Sequence, residues 1–345
     1  MLKKYWLCLI GMGILTNLAA QGLPMDKASD QHYENLPRQP DFSDGGKAEN
    51  EILTSTRQWS LKAHCPQPKN QLGSGACVGW SVGYAALTIQ RAIANCWEGQ
   101  TALITKQAFS PMFIYNQIKI SDCQAGAYID AAMHLLQTKG DVLATEFDKH
   151  SSDCSIMPTD KHLESAAQNK ISAFHTLFSV KASKRTKIDR VKLSLIQNRP
   201  VVVGMRLLNN FTKLRRKDTY WQPTIGDQQP FGGHALVVVG FDDSRGAFEL
   251  MNSWGKEWGK DGFIWVRYAD FANYCRYGFQ MEVKAKISEP KQYSGKFSLR
   301  RFETMTANGE VLFSEEAVRF NQGIYQLKNQ AITTGAISCG NCLVF

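Results

Sequence analysis

The sequence predicts an α+β protein in which the helices precede the strands along the chain. Apolar residues recur at helical spacing from Cys77 to about Gln197. From Val201 onward, short apolar and β-branched runs alternate with glycine-containing turns, which is typical of strands. Because a block of helices followed by a block of strands is typical of α+β folds, we expect a helical half and a strand half.

Individual elements follow from the same patterns. The helix predicted over residues 126–138 has its stop signal at Gly140, since glycine commonly follows the last turn of a helix. Helices are predicted over residues 77–95, 110–119, 126–138 and 186–197. Strands are predicted over residues 201–206, 235–241, 247–251, 263–268 and 279–284.

The most informative stretch runs from Gln71 to Cys77, where a glycine-containing turn ends in a cysteine at the start of a predicted helix. Unpaired N–H groups and the positive end of the helix dipole favour a thiolate at such a position. Gln71 lies one short turn upstream, where its side-chain amide could stabilise an oxyanion beside the sulfur. The alternative is a buried structural cysteine, so the interpretation depends on finding a base.

The candidate base is His234, which follows two glycines and opens a continuous apolar strand. A base must be oriented by a third group, and Asn252 at the exit of the next strand can accept a hydrogen bond from the imidazole. Trp254 could shield that hydrogen bond from water. The alternative for the second segment is a glycine-rich hairpin with two core tryptophans, Trp254 and Trp258.

Together, these residues resemble the papain-like cysteine peptidases, in the order Gln–Cys–His–Asn. The histidine follows Cys77 at slightly more than the ~130–150 positions common in that family. The resemblance covers residues 59–284 and implies two subdomains, one helical and one an antiparallel β-barrel-like unit, with the active site in the cleft between them.

By this resemblance, Cys77 is the nucleophile, His234 the general base and acid, Asn252 the residue that orients the imidazole, and Gln71 an oxyanion donor. Cys123-Gln124-Ala125-Gly126 resembles a family stretch whose glycine backbone pairs with the main chain of the substrate. The expected substrate-binding residues are Gly126, Ala125, Trp254, Trp258 and Gly233.

Three positions depart from the family pattern. Val78 replaces a tryptophan after the nucleophile, and Gly233 replaces the polar residue common before the histidine. Ser74 replaces a cysteine whose usual disulfide partner corresponds to Cys123, so that bridge cannot form. These departures suggest a divergent, bacterial branch and leave open what holds the nucleophile turn.

The implied reaction is hydrolysis of peptide bonds through a Cys77 thioester, with a Cys77 pKa well below the free-thiol value of ~8.5 in the mature enzyme. Two alternatives use the same scaffold. One is a binding or regulatory protein without turnover. The other is a transpeptidase or transamidase, in which an amine instead of water takes the acyl group.

The N-terminus indicates export. Residues 1–20 have a basic start, an apolar run and small residues before Gln21, which is typical of a signal peptide. We therefore expect a secreted or periplasmic protein with no membrane contact after signal removal. In an oxidising compartment several cysteines should pair, and we expect Cys123 with Cys154 and Cys339 with Cys342.

The remaining segments lie outside the motifs. Residues 21–58 are polar and predict a linker or short prosegment, without the length or apolar helical pattern of an inhibitory propeptide. Residues 285–345 predict a small β-rich extension. The formal charge is +9, with a basic cluster at 181–192 that we expect to be a solvated helix face. We expect a peptide or protein substrate, a monomer, no cofactor or metal, and no nucleic-acid partner.

Overall fold

The computed structural model describes residues 22–39, 46–148, 153–223 and 230–283, together with the backbone of three strands between 298 and 326. The expected signal peptide and the expected Cys339–Cys342 pair lie outside the described residues. None of the helices within these ranges is long and apolar enough to cross a membrane.

Helices dominate the described chain up to about residue 170. They are α1 (Lys27–Glu34), α2 (Gly46–Ser55), α3 (Cys77–Gly79), a π-helix (Trp80–Leu87), α4 (Thr88–Ala94), α5 (Thr101–Lys106), α6 (Pro111–Ile118), α7 (Ile129–Thr138), α8 (Ala144–Phe147), α9 (Asp160–Ala166), α10 (Lys184–Ile196), α11 (Asn209–Thr212) and α12 (Tyr268–Tyr274). The α+β division predicted from sequence is confirmed, with α10, α11 and α12 packed among the strands.

An eight-stranded sheet forms the second half. Its strands are β1 (Gln58–Ser60), β2 (Ile171–Thr176), β3 (Val201–Leu208), β4 (Tyr220–Trp221), β5 (Pro230–Asp242), β6 (Ala247–Met251), β7 (Phe263–Arg267) and β8 (Cys275–Val283). The order is β2-β8-β3-β5-β6-β7-β4, with β1 also paired to β5. All pairs are antiparallel except β4 with β7.

The small β unit expected in the C-terminal extension has three antiparallel strands, β9 (Ser298–Met305), β10 (Val311–Phe320) and β11 (Gly323–Gln326), with β10 in the middle. Local sequence explains several helix ends in the larger unit. Ser110 caps α6 by accepting a hydrogen bond from the Phe113 N–H, and proline occupies the first helical position. Gly140 adopts a positive φ of 85° after α7, as a helix stop requires.

The core lies between the helix after Cys77 and the sheet. The α3, π and α4 stretches form one continuous helix whose π segment is buried along its whole length and packs on β3 and β5. Glycines permit this packing. A side chain at Gly79 would begin 2.2 Å from the carbonyl oxygen of Pro111, which brings α6 directly against the start of the helix.

The expectation of a solvated basic face on α10 is wrong for three of its residues. Lys187, Arg190 and Lys192 are all buried. Lys187 Nζ donates to the carbonyl oxygens of Ala272 and Cys275, at 3.3 and 2.8 Å. Lys192 Nζ forms an ion pair with Asp243 at 2.9 Å. These cations therefore join α10 to the sheet side of the molecule, because a buried charge needs hydrogen-bonding partners.

Candidate active site

Cys77 is the first residue of α3, at the end of the glycine-containing turn. Its side chain is completely buried and takes part in no disulfide. Backbone N–H groups of Ala235 and Val78 lie against the sulfur and favour its ionised form. Since Ala235 directly follows His234 on β5, the strand half of the molecule comes within hydrogen-bond reach of the Cys77 sulfur.

His234 lies in β5 directly opposite Met205 of β3, so its position is set by sheet register. It is fully buried, and its Nε2 lies 2.8 Å from Oδ1 of Asn252. The ring of Trp254 stacks on the imidazole, with centroids 4.7 Å apart. Within the described chain, Nδ1 of His234 is buried and has no hydrogen-bond partner. Nδ1 is therefore the nitrogen available for proton exchange.

The tautomer of His234 follows from Asn252. Oδ1 of Asn252 also accepts a hydrogen bond from the backbone N–H of Ser253 at 2.8 Å, so this atom is the oxygen of the amide. Nε2 of His234 must then carry the proton and donate it. The neutral imidazole consequently presents an unprotonated Nδ1, which is the form that a general base requires.

Gln71 is also brought to this region, and its side-chain amide is firmly held. Its Oε1 accepts from the Ser253 hydroxyl at 2.6 Å, and its Nε2 donates to the carbonyl oxygen of Ser74 at 2.7 Å. Its backbone N–H donates to the carbonyl of Ser253 at 2.8 Å. The N–H side of the amide therefore faces the nucleophile turn, because the oxygen is already engaged on the other side.

The structure shows what replaces the missing bridge at Ser74. Cys123 pairs instead with Cys154, as expected from sequence. The backbone N–H of Gly75 donates to the carbonyl oxygen of Cys123 at 3.1 Å, and the Ser74 hydroxyl donates to the carbonyl of Gln71 at 2.7 Å. The Gly75–Cys123 hydrogen bond therefore joins the turn of residues 71–77 to the loop that in the family pattern is attached by a disulfide, and the Ser74–Gln71 bond stabilises the turn itself.

The two tryptophans lie at different depths. Trp254 covers His234, while Trp258 is buried beneath it, with the two rings 5.5 Å apart and nearly perpendicular. The indole N–H of Trp258 donates to the carbonyl oxygen of Phe211 at 2.9 Å. Trp258 thus supports Trp254 from the core.

Ala125, another expected substrate-binding residue, lies against the turn that precedes Cys77. Its carbonyl oxygen is 2.1 Å from where a side chain at Gly75 would begin.

Comparison with known proteins agrees with this geometry. The model for the papain family of cysteine proteases matches residues 54–286. The chain belongs to this family. A gut-specific cysteine proteinase of Caenorhabditis elegans is 24% identical over 63% of this chain and 68% of its own length. The pro-cathepsin H of Medicago truncatula is 26% identical over 49% of this chain and 50% of its own.

An uncharacterized peptidase C1-like protein of Acanthamoeba polyphaga mimivirus is 30% identical over 24% of this chain and 27% of its own length. The chain therefore spans half or less of two of these three relatives. Among solved structures, xylellain, a cysteine protease from Xylella fastidiosa, matches with a TM-score of 0.58 at 21% identity, covering 77% of this chain and 96% of that one. Procathepsin L2 of Tenebrio molitor gives 0.59 at 18% identity, covering 77% and 79%. These likenesses confirm the papain fold.

Residues 22–25 occupy the cleft of this papain-family chain. The carbonyl oxygen of Gly22 accepts from the Ala127 N–H at 2.7 Å, and a side chain at Gly126 would begin only 1.8 Å from that oxygen. The Leu23 N–H donates to the carbonyl of Gly233 at 3.3 Å. Of the expected substrate-binding residues, Gly233 is thus hydrogen-bonded to the chain's own N-terminal segment, and Gly126 lies in close contact with it.

The polar composition of 21–58 concealed this arrangement. Asp26 accepts from the Ser29 N–H at 2.7 Å and caps α1, which was not predicted. The helix docks through Tyr33, whose hydroxyl donates to the carbonyl of Phe178 at 2.8 Å, and through a His32–Asp130 pair at 2.7 Å. The capping aspartate followed by Tyr33 was the available sequence signal.

Burial disfavours the charged forms of Cys77 and His234 in this covered state. It raises the pKa of Cys77 to about 12 and lowers the pKa of His234 to about 4. Both groups lie in the interior with the N-terminal segment over the cleft, where charged forms are disfavoured. In the structure both the Cys77 thiol and the His234 imidazole are therefore neutral. The low pKa expected for the mature enzyme stays a prediction for the uncovered cleft.

Proposed function

We propose that this protein is a thiol peptidase that hydrolyses peptide bonds through an acyl-enzyme on Cys77. The observation that carries the proposal is the hydrogen bond between His234 and Asn252, which leaves Nδ1 of His234 unprotonated. The next residue on β5, Ala235, places its backbone N–H against the sulfur of Cys77. A degenerate scaffold has no need for a base held in this tautomer. The intact Gln–Cys–His–Asn set thus favours catalysis over a purely binding role.

The reaction follows from these positions. His234 takes the thiol proton, and the sulfur of Cys77 attacks the peptide carbonyl. The amide of Gln71 and the backbone N–H of Cys77 hold the oxyanion, each such donor contributing ~3–4 kcal/mol. The imidazolium then protonates the leaving amine, the C–N bond breaks, and a thioester remains. Water, deprotonated by His234, attacks the thioester and releases the carboxylic acid and the thiol.

We further propose that residues 22–39 act as a prosegment that keeps the protein latent. The same backbone groups cannot pair with Gly22 and Leu23 and with a substrate at once. The peptidase domain would extend over about residues 59–284, close to the matched range of 54–286. The Cys123–Cys154 disulfide supports an extracytoplasmic location, either secreted or periplasmic.

The peptidase proposal is tested with a thiol-directed epoxide and a library of fluorogenic peptides. Full-length protein is incubated until its N-terminus stops changing, and labelling and turnover are then compared with Cys77→Ala. We expect stoichiometric labelling and turnover that the variant abolishes. Stoichiometric labelling without turnover across the library would refute peptidase activity, and products that require an added amine would favour a transferase.

The latency proposal is tested at Leu23, which is buried against Gly204 and Gly233. Leu23→Ala should accelerate alkylation of Cys77 in unprocessed protein, because it removes apolar contact from the segment alone. Ile52→Ala, at a half-exposed position of α2, is the matched control and should leave the rate unchanged. Equal alkylation rates in wild type and Leu23→Ala would contradict latency.

A further inference from the structure

A carboxylate site lies at the end of the cleft away from the nucleophile. The side chain of Asp30 accepts hydrogen bonds from Nε and Nη2 of Arg276 and from the hydroxyl of Tyr277, the last at 2.9 Å. Arg206 adds to the positive field on the same carboxylate. Arg206 also donates to the carbonyl oxygen of Met25 at 3.1 Å. Three groups of the peptidase domain thus converge on one acidic side chain.

Sheet register explains why these groups face the cleft. Gly204 of β3 pairs with Tyr277 of β8, and Met205 pairs with Cys275, so Arg276 is the extra residue of a β-bulge. A bulge re-aims a side chain that regular alternation would point to the other face. Arg206 lies two residues after Gly204 and therefore shares its face of the sheet.

The carboxylate site adjoins an apolar pocket. A side chain at Gly204 would begin 2.8 Å from Cδ2 of Leu23, 2.8 Å from Cδ2 of Tyr277 and 3.0 Å from Cε of Met25. The ring of Tyr277 thus lines the Leu23 pocket, while its hydroxyl contacts Asp30. Gly22 lies against Gly75, two residues before the nucleophile, and the segment runs from there through Leu23 towards Asp30. The carboxylate site is therefore on the far side of the pocket from Cys77.

Among the described residues, neither arginine has an acidic partner other than Asp30. In the described part of the chain, the ion pair of Arg276 is with Asp30, and Arg206 forms none. When the segment leaves, Arg276 loses this ion pair, and among the described residues of the peptidase domain no carboxylate is paired with either arginine. Two cations and a phenol would then line the open cleft next to the apolar pocket. Paired arginine donors suit a carboxylate, because the guanidinium binds it through two parallel hydrogen bonds.

We propose that Arg276, Tyr277 and Arg206 form a specificity site for an acidic side chain of the substrate. An acyl group on Cys77 is attached through its carboxyl end and extends away from the sulfur towards its amino end, opposite to the direction of the segment. In this proposal the acidic residue therefore precedes the aliphatic residue that takes the position of Leu23. Asp30 occupies this site in the latent form. The inference rests on the proposed peptidase function and adds the substrate class. A segment anchor without any role in substrate choice is the competing explanation, and the two differ in what the mature enzyme selects.

The test compares two fluorogenic peptides, the 7-amido-4-methylcoumarin derivatives of acetyl-Asp-Leu-Ala and acetyl-Asn-Leu-Ala, on the N-terminally matured protein. We expect kcat/KM to favour the aspartyl peptide by about tenfold, as charge-assisted hydrogen bonds of this kind allow. The ratio is independent of the concentration of active enzyme, so a change in segment release does not affect it. Arg276→Gln should bring the ratio close to one. Arg185→Gln removes the same charge from an exposed site on α10 and should leave the ratio unchanged.

A second readout needs no hydrolysis. The rates at which two irreversible peptidyl inhibitors label Cys77 are compared, with the same Asp or Asn as their only difference. Turnover of both peptides at equal kcat/KM would overturn the specificity site and leave the peptidase function standing. Faster labelling by the aspartyl inhibitor without turnover of any peptide would support the site and contradict peptidase function. Equal labelling by both inhibitors would overturn the site whether or not turnover occurs.

Discussion

Replacing Asp30 with asparagine tests how firmly the N-terminal segment is held. The substitution keeps the shape of the side chain and removes the charge that Arg276 and Tyr277 bind. Only 19% of the Asp30 side chain and 30% of the Arg276 side chain are exposed, so solvent screens the pair only in part. Hydrogen bonds to charged groups contribute about 1.5–3 kcal/mol, and tenfold in an equilibrium corresponds to about 1.4 kcal/mol. The open fraction of the cleft should therefore rise about tenfold to a hundredfold.

The assay is the rate of Cys77 alkylation by iodoacetamide in unprocessed protein, followed by mass spectrometry of the Cys77 peptide. Under slow labelling this rate is proportional to the open fraction. Asp189→Asn, which breaks an exposed pair with Arg185 on α10, is the matched control and should have no effect. A rate for Asp30→Asn within twofold of wild type would refute the reasoning.

The same variant has a defined pH dependence. Hydrogen bonding to Arg276 holds the pKa of Asp30 below its usual value. Its contribution to docking is therefore present above the ordinary value of ~3.9 and is lost as the pH falls through the lowered pKa. Wild type and Asp30→Asn should consequently converge in acid. The comparison uses dipyridyl disulfide, which reacts with thiols at low pH. A difference that persists undiminished at pH 2 would contradict this assignment.

Three further predictions concern the catalytic region. Gln71→Ala should lower kcat by ~10²–10³-fold. Ser253→Ala loosens the same amide but keeps its N–H donors, so it should lower kcat much less. Equal decreases in kcat would mean that Gln71 only supports the turn. Replacing Cys123 and Cys154 by serine opens a loop of 31 positions and should lower the free energy of unfolding in urea by about 3–4 kcal/mol, and an unchanged midpoint would contradict this. Because the pKa of His234 is lowered from 6.5 to about 4, the unfolded chain binds a proton in that window that the folded chain does not. Stability should thus fall by about 3 kcal/mol between pH 6.5 and 4, and His234→Gln should remove most of this slope; equal slopes would contradict a neutral buried imidazole.

Local sequence was enough to predict an element where the residue pattern is compatible with only one kind of secondary structure. The strand predicted over 247–251 coincides with β6, because a short apolar run between turn residues has few alternatives. Cys77 begins α3 and Asn252 directly follows β6, as predicted. His234 instead lies inside β5, because this strand begins at Pro230 and not at residue 235. The helix predicted from residue 126 begins at Ile129 instead, since Gly126 and Ala127 are engaged with Gly22.

Features that depend on distant partners were not readable. Asp30 and Arg276 are 246 positions apart, and each on its own is typical of a solvated charge. Lys192 is buried because Asp243, 51 positions away, lies opposite it. The covered cleft likewise requires two glycines in different halves of the chain to accept one short segment. Composition identifies such residues as polar but does not reveal which of them find partners.

The π-helix from Trp80 to Leu87 has a consequence for how the length of this chain can vary. Each π turn closes a ring with one more residue than an α turn, and the Thr88 hydroxyl bonds back to the carbonyl of Gly83, five positions earlier. The Thr88 hydroxyl oxygen also accepts a hydrogen bond from the backbone N–H of Phe109 at 3.0 Å, outside this helix. A deletion of one residue in this stretch can be absorbed by tightening to α geometry, while Cys77 and Thr88 keep their own contacts. A one-residue deletion in this helix therefore need not displace the sulfur of Cys77.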